Sequence, residues 1–87
     1  MKRKESFLLQ QVGDENLLVP IGAQVMDTNG IITLNASAVL IWEQLVEEKT
    51  EAELAAGLVE RFDVGHDRAV ADVRTFIGEL RENGLLA

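Results

Sequence analysis

Eighty-seven residues carry fifteen acidic and eight basic side chains, a formal net charge of -7. A chain of this length buries roughly two-thirds of the surface its unfolded form exposes, so residues 1–87 read as a single domain with one modest core. Hydrophobic residues at 47% exclude long disorder, no apolar run approaches the roughly 18 residues of a membrane span, and the absence of cysteine excludes disulfides, Cys-zinc sites and thiol catalysis.

The first 35 residues have strand character. Phe7-Leu8-Leu9-Gln10-Gln11-Val12 runs into Gly13-Asp14-Glu15-Asn16, a turn signal, and Leu17-Leu18-Val19-Pro20-Ile21 follows, which reads as a hairpin. Pro20 has no N–H for a ladder and belongs at a strand end or an edge. After Gly22 comes Gln24–Thr28, then Asn29-Gly30, then Ile31-Ile32-Thr33-Leu34. Asn-Gly between two such runs is a strong hairpin signal, because both central turn positions need positive φ. Three or four short antiparallel strands are expected.

The period changes at Asn35, which suits the N-cap of a helix over Ala36–Lys49. Ala38, Ile41 and Leu45 form one stripe, and Val39, Trp42 and Val46 the adjacent one. Thr50-Glu51-Ala52-Glu53 matches a capping box and starts a second helix, with Leu54, Ala55, Leu58, Val59 and Phe62 as its buried face. Asp63-Val64-Gly65 breaks it. A third helix runs from His66 to Asn83, with Val70, Val73, Phe76, Ile77 and Leu80 inward. Asn83-Gly84 stops it, and Leu85 is placed for the apolar contact that closes such an end. The fold class is α+β and winged-helix-like: a small N-terminal antiparallel sheet, then three helices.

Few groups could carry chemistry. His66 is the lone histidine, has no nucleophile near it in sequence, and reads as a solvated helix-end residue. Glu47, Glu48, Glu51 and Glu53 lack the spacing of a calcium loop or a di-iron site and read as polar faces and a helix start, so no metal is expected. The glycines match no phosphate loop, which leaves no sign of a bound cofactor. Gly57 and Gly78 lie inside helices; a close approach of another group or an ordinary exposed position would account for either. Trp42, on the apolar stripe, reads as core. Gln10 and Gln11 interrupt the apolar stretch behind the basic start, which argues against a signal peptide and for a cytoplasmic protein. Residues 36–87 hold five basic side chains against eleven acidic ones, a poor footprint for phosphate backbone or an anionic membrane. A winged-helix DNA-binding regulator, the alternative with similar helices, is thereby disfavoured. The strand Ile31–Leu34 is short, β-branched and uncharged. At a sheet edge it would offer unpaired backbone groups to an extended peptide or to a second copy, giving a weak homodimer; covered by another element it would do neither.

Leu34-Asn35 before a helix, Ile41-Trp42, Thr50-Glu51-Ala52-Glu53-Leu54-Ala55, Phe62-Asp63-Val64, Asp72-Val73, Phe76-Ile77, Leu80 and Asn83-Gly84-Leu85-Leu86 together resemble the PqqD family. That family comprises pyrroloquinoline quinone biosynthesis protein D and related RiPP precursor peptide recognition elements. The resemblance runs from about Phe7 to Leu86. It implies a non-catalytic peptide chaperone. The leader segment of a ribosomally made precursor peptide would add as a strand beside the third strand, against the third helix. The domain would then present the peptide to a modifying enzyme, often a radical S-adenosylmethionine protein. Carried over, the strand rail is Ile31, Ile32, Thr33 and Leu34, and the helical wall is Arg74, Ile77 and Arg81. The additional run around Val25–Thr28 leaves open which strand is the family's third.

Overall fold

The apolar runs at the start of the chain form two strands, β1 (Phe7–Val12) and β2 (Glu15–Pro20), in a computed structural model that describes residues 1–5, 7–21 and 32–87. Val12 pairs with Glu15, so the turn is Gly13-Asp14 alone, two residues shorter than the sequence signal. Gly13 has φ +62°, as the first central position of a II′ turn requires. Pro20 closes β2. A third strand, β3 (Ile32–Leu34), pairs antiparallel with β2, giving the order β1-β2-β3. The expected run Gln24–Thr28, the Asn29-Gly30 turn and Ile31 lie outside the described residues. Residues directly opposite in the sheet share a face. Leu9, Leu18 and Ile32 are aligned by the register, and this row packs onto the helices.

Helix α1 (Ala36–Gln44) is capped by Asn35, whose Oδ1 accepts from the Ala38 N–H at 2.8 Å. It ends five residues before the expected Lys49. The Leu45 N–H is shared between the Ile41 and Trp42 carbonyls, and Val46 and Glu47 bond back to Glu43 and Gln44, so the last turn tightens. The first residues of the chain then take over: Arg3 N–H donates to the Leu45 carbonyl, the Arg3 guanidinium donates to the Trp42 carbonyl, and Lys49 N–H donates to the Met1 carbonyl. Val46, expected on the buried stripe, is therefore 51% exposed. Trp42 is buried, with the Arg3 guanidinium 5.0 Å from its ring centroid.

Helix α2 (Glu51–Arg61) starts with the capping box the sequence signals. The Thr50 hydroxyl accepts from Glu53 N–H, and the Glu53 carboxylate accepts from Thr50 N–H. Leu54, Ala55 and Leu58 are buried, but Val59 is exposed and Phe62 half-buried, so the inward face is narrower than expected. Helix α3 (His66–Glu82) buries Ala69, Val73, Phe76, Ile77 and Leu80. Its end is a Schellman motif: Gly84, at φ +72°, donates to the Arg81 carbonyl, and Leu85 donates to Leu80 and is fully buried. Arg3 and Leu86 form an antiparallel bridge, flanked by bonds from Lys4 N–H to Leu85 and from Ala87 N–H to Lys2. The α+β order expected from the sequence is the order of the fold.

Candidate groove between the third strand and the third helix

Among the described residues, β3 has a strand neighbour on one side only, β2. Three residues are too few to form a sheet by themselves, so β3 depends on this pairing and on Leu34, which is buried against the helices. Thr33 alternates outward and is exposed.

Where β3 leads into α1, the chain borders a groove of about 160 Å³. Thr33, Asn35 and Ser37 form one wall, and Asp72, Thr75 and Glu79 of α3 form the other. Ala38, Ile41 and Phe76 provide an apolar floor that continues into the core. Asp72, Thr75, Phe76 and Glu79 follow the i, i+3, i+4, i+7 spacing of a single helix face. Asp72 is held loosely by Arg68, Nε to Oδ1 at 3.6 Å across one turn. No ion pair to Glu79 is found among the described residues, and its backbone carbonyl accepts from Asn83. The combination can receive an extended chain. A strand edge supplies backbone donors and acceptors, and a cleft with an apolar floor and an acidic rim lies alongside.

The site residues expected from sequence fall in several places. Thr33 lines the groove; Ile32 and Leu34 belong to the same strand but turn toward the core; Ile31 is outside the described residues. None of the three expected α3 residues lines the groove. Ile77 is inside the core, 1% exposed. Arg74 faces α2, where its Nε is 3.5 Å from Glu51, and it borders a separate depression with Ala52, His66, Val70 and Val73. Arg81 reaches the Met1 sulfur at 3.7 Å. At about 100° per residue, Arg74 and Arg81 lie across the helix from the face that carries Asp72 and Glu79. The buried stripe of α3 has two flanks, one carrying Arg74 and Arg81 and the other carrying Asp72 and Glu79 after Arg68, and the second adjoins β3. Asn35, Ser37, Asp72, Thr75, Phe76 and Glu79 were not singled out as groove residues. The helical spacing of the last four is the signal that groups them.

Three of the four acidic residues weighed as metal ligands have local partners. Glu53 is in the capping box, Glu51 faces Arg74, and Glu48 accepts from the Met1 amine at 2.7 Å. Capping depresses the Glu53 pKa below the usual glutamate range, chiefly through the Thr50 backbone N–H and then its hydroxyl.

The sequence model of coenzyme PQQ synthesis protein D matches residues 22–86. The chain belongs to the PqqD family. The match takes in β3 and all three helices of this PqqD-family chain and leaves out β1 and β2, so it begins later than the resemblance from Phe7 suggested. Two solved structures share its fold. One is TbiB1 in complex with the TbiA(beta) leader peptide, 23% identical, with a TM-score of 0.73 over 99% of this chain and 94% of that one. The other is lasso peptide synthetase B1 complexed with the leader peptide, 23% identical, with a TM-score of 0.72 over 97% and 93%. A comparison with curated proteins returns no match.

Proposed function

We propose that this chain is a recognition module for the leader segment of a ribosomally made precursor peptide, acting without catalysis of its own. The observation that carries the reading is the β3 edge, which has one strand neighbour among the described residues and borders the α3 groove. An extended leader would add antiparallel along Ile32–Leu34, continuing to Ile31, with side chains alternating into the groove. Backbone bonds would give sequence-tolerant affinity and the groove would give selectivity. Membership of the PqqD family supports this use of the edge, as do the leader peptides present in the two structures that share the fold.

The bound leader would be handed to a modifying enzyme, in our reading a radical S-adenosylmethionine protein in the cytoplasm. The module itself would hold neither metal nor cofactor. Without a leader the same edge would pair weakly with a second copy, and a leader would displace that copy.

The test uses a synthetic leader taken from a precursor peptide encoded beside this chain's gene. Proline removes the N–H at its own position. In a three-residue strand, Thr33 and its neighbours point their N–H groups in opposite directions, so Ile32→Pro and Thr33→Pro are made in parallel. At least one should abolish leader binding by fluorescence anisotropy while helical circular dichroism persists. Amide shifts on adding leader should map to residues 32–35 and to the Asp72–Glu79 face. Undiminished binding by both variants, or shifts confined to α2, would overturn the reading.

A further inference from the structure

We infer that the groove selects peptides carrying lysine or arginine on the side that faces α3. The inference rests on the strand-addition reading above and specifies the ligand's chemistry. Among the described residues, the charged groups on the groove wall are two carboxylates, Asp72 and Glu79. The remaining polar lining, Thr33, Asn35, Ser37 and Thr75, is neutral. Of the three arginines of α3, Arg74 and Arg81 lie across the helix, Arg74 against Glu51, and Arg68 is one turn before Asp72, outside the groove lining and in long contact with that carboxylate. Among the described residues, an acidic side chain entering the groove would meet like charge, the one nearby cation being Arg68 beyond the groove lining and already against Asp72. A basic one would meet Glu79, or Asp72 in exchange for its long contact with the exposed Arg68.

The dimensions admit more than one cation. Seven residues of helix separate Asp72 from Glu79 by about 10 Å along the axis. Same-side residues of a strand recur roughly every 6.5–7 Å. Two cations at i and i+2, with flexible stems, can each reach a carboxylate; a single one can reach either. The apolar floor of Ala38, Ile41 and Phe76 suits the methylene stems of lysine and arginine beneath their charged ends. The net charge of -7 adds long-range attraction for such a peptide.

A random 14-residue peptide library made by mRNA display tests this. It is selected in parallel against the wild-type chain, an Asp72→Asn/Glu79→Gln variant and a control, Glu47→Gln/Glu60→Gln. The control neutralises two exposed carboxylates outside the groove and matches the change in net charge. Peptides selected on the wild type and the control should be enriched in lysine or arginine at one position or at two positions two apart. Peptides selected on the groove variant should not. A selected basic peptide should bind the groove variant about 2–10-fold more weakly, the range for one or two exposed ion pairs. Enrichment that survives in the groove variant, that is absent from the wild type, or that the control loses equally overturns the inference. Selected peptides that shift β3 amides without basic enrichment would leave strand addition standing and remove this inference alone. Peptides that bind without touching β3 would remove both.

Discussion

Gly57 and Gly78 are alike in sequence, each a glycine within a helix, and the fold separates them. A Cβ on Gly78 would meet nothing within 4 Å. A Cβ on Gly57 would come within 2.5 Å of the Gln44 carboxamide, which leans from α1 onto α2. The Gln44 amide nitrogen is buried there without a hydrogen-bond partner among the described residues, an arrangement that costs free energy. Gly78→Ala should therefore stabilise the protein by about 0.5–1 kcal/mol, the helix-propensity difference. Gly57→Ala should gain less, because Gln44 must give up its packing against α2, a loss that a solvent partner for its amide only partly offsets. In a Gln44→Ala background, Gly57→Ala should recover the missing part. Urea denaturation of the four variants checks this, and equal gains from the two single glycine changes would refute the account. The sequence could pose the choice between close approach and open position but not decide it, because the approaching group is on another helix, thirteen residues away in the chain.

Helix ends were the most legible elements, since a cap is a short-range hydrogen-bond pattern written in adjacent residues. Asn35, Thr50 with Glu53, and Gly84 with Leu85 all cap where expected. The α1 C-terminus was not legible, because the Trp42 and Leu45 carbonyls are met by Arg3, far away in sequence, in addition to the local bonds from Leu45, Val46 and Glu47. The groove wall was half legible. The apolar stripe of α3 was plain, but periodicity cannot say which flank of a stripe faces the sheet, and expectation fell on Arg74 and Arg81 rather than on Asp72 and Glu79. The α2 capping box also carries a pH dependence. The folded-state pKa of Glu53 is depressed, so its contribution to stability is present above the unfolded value and is lost as pH falls through the folded one. Glu53→Gln should be less stable than wild type at neutral pH. The difference should shrink as the solution is acidified below the usual glutamate range. A gap in denaturation midpoint that widens with acid would contradict this assignment.

At the scale of the molecule, charge and architecture point to different partners. Three helices and a small sheet are compatible with binding DNA, but the net charge of -7 is not. Random duplex DNA at low salt should give no mobility shift at micromolar protein, and a tight, salt-sensitive complex would reverse the argument. The order of sheet and helices was readable because each period is local. The bridge between Arg3 and Leu86 was not, since nothing in either segment names a partner at the far end of the sequence. That bridge has a consequence for synthesis on the ribosome. The backbone groups of Lys2 and Lys4 wait for Ala87 and Leu85, among the last of these residues to be translated. Arg3 can meet Leu45 and Trp42 much earlier, so the α1 end can be covered while α3 is still being made. Sealing of the fold thus waits until the last of these residues have been made, and until then the two ends of this sequence have no hold on each other.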